Sequence, residues 1–273
     1  MTPSTGPAAL EHDKRSRLDG PESGDGPGTG AGGTRAPSRK RRLLRAAALA
    51  AAVGMPVTVL AAVVRSEASV VVRFDQEVVR AATDAVRDHD GLRQALLAWQ
   101  AAFVPRWVNV AVSLVCLWVW RRHGLRTRAL WAFVTLMVAW NLQLDIKLLV
   151  QRARPVVEDA LTRAPGYSFP SGHATNTTAA GIVLVVLVWP LLGRRGRAAL
   201  VTVVTAVVLV TGADRVLLGA HYPSDVVAGF ALGAAMVGAS YLGFLGRHHP
   251  EQPSSRRRPD DDPPATHEPE AAR

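Results

Sequence analysis

The sequence predicts an all-α integral membrane protein, a six-helix bundle with disordered tails at both ends. Of its 273 residues 48% are hydrophobic, and they gather into long runs rather than spreading evenly. Six such runs can be drawn, each near the roughly 20 residues a helix needs to cross about 30 Å of hydrocarbon. The formal charge is +10, and it falls in clusters between the runs. A soluble chain this basic would point to nucleic acid; charge confined to the ends of apolar runs points to a bilayer instead, with no nucleic-acid partner.

Residues 1–38 are rich in Gly, Pro, Ser and Thr and have no apolar core, the composition of a disordered tail. No cleavable signal peptide is expected, because the first apolar run begins beyond residue 40 and is long enough to span. It reads as an uncleaved anchor, over about residues 44–64. The stretch 65–100 is mixed in charge. Phe74, Val78, Ala82 and Val86 recur there at helical spacing with Asp75, Glu77, Arg80, Asp84 and Arg87 between them. That pattern predicts an amphipathic helix lying at the membrane surface, or one that merely covers the end of the bundle. The second run, about 101–120, holds the only cysteine, Cys116, which allows no intrachain disulfide or thiolate metal cage and is expected to pack in the core. The third covers about 129–150, where Asn141, Gln143 and Asp145 suggest a polar seam facing another helix. The fourth, fifth and sixth cover about 174–192, 198–218 and 226–245. Residues 250–273, with Arg256 to Arg258 and several prolines, read as a second disordered tail. The six-crossing domain is thus expected over 39–249.

Orientation follows from the arginines. Arg39, Lys40, Arg41, Arg42 and Arg45 precede the first run; Arg121, Arg122, Arg126 and Arg128 join the second to the third; Arg194, Arg195 and Arg197 join the fourth to the fifth; Arg247 follows the sixth. With six crossings all four clusters share one side, which the positive-inside rule makes cytoplasmic. Both tails are then cytoplasmic in a multi-pass protein of the cell membrane.

Three strings land on the opposite, exoplasmic side. Lys147 and Arg154 are followed by Pro155 and lie about two helical turns apart, so they share a direction if the helix continues that far. Arg offers a planar fork to phosphate oxygens and Lys a point charge, and Arg152 lies close enough to help. A basic cluster at a helix end serves equally as a headgroup contact or snorkelling anchor. Pro170, Ser171, Gly172 and His173 stand before the fourth run. There Ser171 is placed to cap the helix, the first backbone N–H groups make an anion site, and Gly172 lets the backbone approach it. Capping without catalysis is the competing reading. Arg215, His221 and Asp225 span the end of the fifth run and the start of the sixth. Asp225 can take a hydrogen bond from one nitrogen of His221 and leave the other as a free lone pair, the form of an oriented nucleophile or base. Together the strings can clamp a tetrahedral oxyanion and do proton or nucleophile chemistry on it.

These strings resemble the three-part signature of the type 2 phosphatidic acid phosphatase superfamily, Lys-x6-Arg-Pro, Pro-Ser-Gly-His and Ser-Arg-x5-His-x3-Asp. The resemblance covers about residues 44–246. It implies six transmembrane helices with an exoplasmic site, and a lipid phosphatase that needs no metal ion or other cofactor. By the same resemblance His221 is the nucleophile that forms a phosphohistidine, Asp225 the carboxylate that orients it, and His173 the acid that protonates the leaving oxygen. Lys147, Arg154 and Arg215 are the phosphate-binding cations, with Ser171 and Gly172 adding hydrogen bonds. The chemistry implied is positioning and charge stabilisation of a phosphoryl group, then water attack on the phosphoenzyme.

One position departs from the pattern: Asp214 precedes Arg215 where the family usually has Ser. Either it pairs with Arg215 and orients the guanidinium at some loss of free charge, or it turns away. The expected substrate is a lipid phosphate or diphosphate: polyprenyl diphosphate, phosphatidate or phosphatidylglycerophosphate. Ala, Val and Arg richness, typical of a high-GC bacterium, favours the polyprenyl carrier slightly. A non-catalytic lipid-phosphate binder and a vanadate-haloperoxidase-like enzyme are the alternatives. The second is argued against by six spans and the first by the presence of both histidines. A homodimer is left open.

Overall fold

The computed structural model describes residues 39–66, 69–156, 162 and 165–244, and all regular structure among them is helical. The tails expected over 1–38 and 250–273, with Arg247, lie outside the described residues. Eight α-helices follow one another: α1 (Arg39–Arg65), α2 (Ser69–Arg87), α3 (Asp90–Ala102), α4 (Pro105–His123), α5 (Arg126–Val150), α6 (Gly172–Val188), α7 (Arg194–Leu217) and α8 (Pro223–Phe244), with a single 3₁₀ turn (Trp189–Leu191) after α6.

Among the described residues five helices, α1, α5, α6 together with its 3₁₀ turn, α7 and α8, are each long and apolar enough to cross a membrane. The sixth candidate is α4, which meets that standard only together with α3, from which it is bent by 51°. The run expected from residue 101 is broken at Phe103, and α4 begins with Pro105 in its first turn, where a missing N–H costs nothing. Its opposite end is closed by Gly124 at φ 70°, whose N–H bonds the Trp120 carbonyl.

The buried core fixes how the crossings pack. Val112, Cys116 and Val119 of α4 meet Leu136 and Ala139 of α5 and Ala179, Val183 and Leu187 of α6, so Cys116 is a packing residue. α8 lies against α6 through small residues. A Cβ on Gly229 would come within 2.9 Å of the Ser171 carbonyl, and one on Gly233 within 2.6 Å of the Thr175 carbonyl. Backbones that close are how helices associate without a hydrophobic driving force between them.

The polar contacts show which helix ends sit together. Trp131 Nε1, near the start of α5, donates to Ser240 Oγ near the end of α8, and Arg128 donates to the Val186 carbonyl near the end of α6. The start of α1 lies there too, since Leu49 sits 2.9 Å from where Gly238 would carry a Cβ. The arginine-bearing ends are therefore one end of the bundle, and the three strings lie at the other.

The expectations for 65–100 need correction. α2 is strongly amphipathic, but its buried side is Asp75, Val79, Thr83 and Val86, while Phe74 is exposed. The sequence reading placed Asp75 among the outward charges; it is fully buried. The polar seam in α5 is also narrower than expected. Asp145 is exposed, and Asn141 donates to the Met137 carbonyl of its own helix. Gln143 alone of the three is buried, with its Oε1 against Gly172.

Candidate active site

α5 stops at Val150, earlier than Pro155, because Gln151 takes the left-handed conformation at φ 55° and returns its N–H to the Lys147 carbonyl. Arg154 thus leaves the helix, yet it and Lys147 still converge on one loop. Lys147 Nζ donates to the Tyr167 carbonyl at 2.9 Å and the Ser168 carbonyl at 3.4 Å. Arg154 donates from Nε to Gly166 (3.0 Å), from Nη2 to Pro165 (3.1 Å) and from Nη1 to Ala220 (2.7 Å), all carbonyls. Among the described residues neither has a carboxylate partner, so the carbonyls orient both cations without neutralising them. The loop they hold carries a cis Phe169–Pro170 bond and leads directly into α6.

Ser171 occupies the N-cap of α6, but its side chain makes no cap bond. Its Oγ is buried and unpartnered, as is Nε2 of His173 in the first turn. The capping expected of Ser171 is corrected: its backbone carbonyl accepts from Thr175 N–H and Oγ1, which leaves the hydroxyl available. Both groups would gain from a hydrogen-bonding ligand at this helix end.

α7 ends in Leu217, and a turn through Gly219 (φ 67°) carries the chain to His221, whose N–H returns to the Arg215 carbonyl at 3.1 Å. His221 is buried. Arg154 Nη1 stands 3.2 Å from its Nε2. An Arg can only donate there, so Nε2 carries the lone pair and Nδ1 the proton. Nδ1 faces Asp225 Oδ2 at 3.6 Å, longer than a hydrogen bond. The direct bond expected between these two is thus loose, and the cause is crowding at Asp225. Its Oδ2 already accepts from Ser168 Oγ and from Tyr222 N–H at 2.9 Å. Ser168 Oγ itself lies 3.4 Å from His221 Nδ1, between the two. Burial, joined by the nearby charges of Lys147 and Arg154, lowers the His221 pKa to about 4 against the opposing pull of Asp225. The imidazole is therefore neutral near pH 7, with Nε2 unprotonated and its lone pair turned to Arg154.

Asp214 pairs with Arg215. A single carboxylate oxygen accepts from Nε at 2.8 Å and from Nη2, while Oδ1 is buried without a partner. The pair is the first of the two arrangements expected, and it leaves Arg215 less positive than Lys147 or Arg154. Arg152 does not join the cations expected to bind phosphate. Its Nη1 donates to Asp225 Oδ1 at 2.6 Å and its Nη2 to Asp75 Oδ2 at 2.7 Å, with its guanidinium 4.1 Å from the Tyr222 ring centre. Burial disfavours its charge, but the two carboxylates outweigh that and raise its pKa. Three residues of this centre, Asp75, Ser168 and Ser224, were missed in the sequence. Only Asp75 left a signal, as a carboxylate in register with the apolar positions Val79 and Val86. Among the described residues no group of three or more His, Cys, Asp or Glu side chains could hold a metal ion.

The PAP2 superfamily model matches residues 127–249, the segment that contributes every side chain of this centre except Asp75. A phosphatidylglycerolphosphate phosphatase of PAP2 type from Bacillus subtilis has a similar structure, with a TM-score of 0.63 over 74% of this chain and 98% of that one, at 20% identity. The chain shares the fold of that PAP2-type protein. A decaprenylphosphoryl-5-phosphoribose phosphatase of Mycobacterium tuberculosis is 39% identical over 102 residues, 36% of this chain and 51% of that one. A lipid A 1-phosphatase of Rhizobium johnstonii is 46% identical over 67 residues, 24% of each chain. An undecaprenyl-diphosphatase of Bacillus subtilis is 28% identical over 153 residues, 52% of this chain and 69% of that one. The chain thus spans about half the length, or less, of the first two of these relatives. This PAP2-fold chain is a multi-pass membrane protein with its polar centre at one end of the bundle.

Proposed function

We propose that the chain is a lipid phosphatase that removes phosphate from a lipid phosphomonoester or diphosphate at the exoplasmic membrane face, through a phosphohistidine on His221. One observation carries the reading: a buried, neutral His221 presents the Nε2 lone pair to the Arg154 guanidinium, while Asp225 and Ser168 sit on its Nδ1 side. A phosphoryl group entering between Nε2 and Arg154 meets a nucleophile and a cation together. Its non-transferring oxygens reach Lys147, Arg154 and the remaining donors of Arg215, with Ser171 Oγ and the Gly172 N–H at the start of α6. In the first step the phosphorus bonds to Nε2 as its bond to the leaving oxygen breaks, and His173 gives that oxygen a proton. Water then attacks the phosphohistidine, releases inorganic phosphate and restores His221, with His173 as the base.

The relatives' names share a phosphate attached to a lipid and differ in what lies between. Polyprenyl diphosphate, phosphatidate and phosphatidylglycerophosphate remain the substrates proposed here, the polyprenyl compound first. An apolar cavity of about 220 Å³ between α4, α6 and α7, lined by Phe103, Val108, Val112, Thr177 and Val204, supports a hydrocarbon chain. Thr177 is one helical turn from His173. The test is phosphate release by the detergent-solubilised protein from a panel of these lipids with EDTA present. Release that His221→Ala abolishes and His173→Ala slows severely is expected. Full activity in either variant, or strict dependence on added divalent metal, overturns the mechanism.

A further inference from the structure

Among the described residues outside the matched segment, Asp75 is a fully buried carboxylate with three hydrogen bonds, and nothing in the proposed mechanism uses it. It sits on α2, fully buried. Its Oδ2 accepts from Arg152 Nη2 at 2.7 Å and from Ser224 Oγ. Its Oδ1 accepts from the Ser224 N–H at 3.1 Å, at the start of α8. Arg152 in turn donates to Ser224 Oγ at 2.8 Å and to Asp225 Oδ1 at 2.6 Å. The result is a line of alternating charge, Asp75 to Arg152 to Asp225, that ends beside Nδ1 of His221. Both ion pairs are nearly sealed from solvent, with side-chain exposure of 8% for Arg152 and none for either carboxylate.

A simple anchoring of α2 needs no such arrangement. Val79 and Val86 already bury that helix's apolar side, and a buried ion pair is weak evidence for stability because desolvation consumes much of its attraction. What the arrangement does control is direction. With Asp75 in place Arg152 divides its fork between two carboxylates and can give Asp225 one N–H only. Asp225 then keeps Oδ2 turned towards Ser168, the Tyr222 N–H and His221. Without Asp75 both N–H groups of Arg152 are free to take Asp225 alone in the bidentate geometry that Arg and carboxylates favour. That would draw Oδ2 away from the Nδ1 side of the imidazole.

We propose that Asp75 is a positioning residue for the nucleophile, acting through Arg152 and Asp225 on the orientation of His221. The inference rests on the phosphohistidine reading, and its test is arranged so that the two can fail separately. The measurement is kcat and KM for a short-chain soluble lipid phosphate, with thermal melting of each purified variant. Asp75→Asn is expected to lower kcat on the order of 10²-fold, the effect of a small misplacement of a reacting group, with KM changed less than about threefold. Asp84→Asn removes an exposed carboxylate on the same helix, one that pairs with Arg87 at 3.0 Å, and is expected to leave both constants unchanged. In an Arg152→Met background Asp75→Asn adds less than about threefold, because its route to Asp225 is already cut; a helix-anchoring role would add its full loss in either background. Asp75→Glu keeps the charge and shifts the carboxylate, and is expected to melt like the unsubstituted chain while losing kcat. If Asp75→Asn does not fold, Asp75→Glu decides. Full kcat in a folded Asp75 variant, or full additivity with Arg152→Met, overturns the proposal. Turnover that survives His221→Ala overturns the phosphohistidine reading instead.

Discussion

Asp214 is the residue at which this centre departs most from the three-part signature its strings resemble, and its geometry gives the departure a sign. The carboxylate takes two donors of Arg215 that a Ser would leave for the proposed phosphate, and it contributes negative charge beside the proposed anion site. Asp214→Ser should raise kcat/KM about tenfold, roughly the worth of one recovered charge-assisted hydrogen bond. Steady-state kinetics decide it; an unchanged or lower value would mean that Arg215 serves as a structural partner of Asp214. His221 carries a second expectation. Its folded pKa, about 4, lies below the roughly 6.5 of an unfolded His. Between those values the unfolded chain binds the extra proton, so stability is full above about pH 6.5 and falls as pH drops towards 4. Melting temperatures at pH 7.5 and 5 should show that decline, smaller in His221→Gln. The acid limb of phosphoenzyme formation should lie near pH 4, and a midpoint at 6.5 would contradict the buried neutral imidazole.

The site depends on helices whose close approach is set by missing side chains. α6 brings Ser171 and His173 to the centre, and α8 brings Asp225; the two are held together where Gly229 and Gly233 leave room for the α6 backbone. A methyl group at 233 meets a backbone oxygen at 2.6 Å, which cannot move without shifting α6. Gly233→Ala should cost about 1–3 kcal/mol, seen as a lower melting temperature together with lost turnover. Gly54→Ala on α1 has open space and should be neutral or slightly stabilising. Equal behaviour of the two would undo this account of the α6–α8 contact. The same helices show what a sequence can reveal. Apolar length located the crossings because a bilayer demands it, and the three strings were legible because chemistry fixes their spacing. The break before Pro105 was hidden, since apolar residues continue across it. Ser168 was hidden as well, as one hydroxyl in a loop brought to Asp225 only by tertiary folding. Asp75 fell on the wrong side of α2 because Phe74 suggested a face one residue away. In a surface helix an apolar side chain can face lipid while a carboxylate goes inward to an arginine.

Charge separates the two ends of the bundle. The start of α1, the α4–α5 turn, the α6–α7 turn and the end of α8 meet at one end through Arg128 with Val186, Trp131 with Ser240 and Leu49 beside Gly238. Arg121, Arg122, Arg194, Arg195 and Arg197 lie there without a comparable set of acidic residues. At the opposite end the cations of the site are engaged with carboxylates, carbonyls or an imidazole. Basic residues in short loops close to crossings are what the positive-inside rule counts, so the arginine-rich end should be cytoplasmic and the His221 end exoplasmic. This orientation also fits the proposed chemistry, because the site is then reached from the outer leaflet. A cysteine-accessibility tag placed after Leu192 should react only once the membrane is permeabilised, in intact cells whose native Cys116 is replaced by Ser. A tag in the Tyr167 loop should react from outside without permeabilisation, unless it disrupts the fold, which retained phosphate release would exclude. Labelling after Leu192 from outside would invert the bundle and place the His221 centre on the cytoplasmic face.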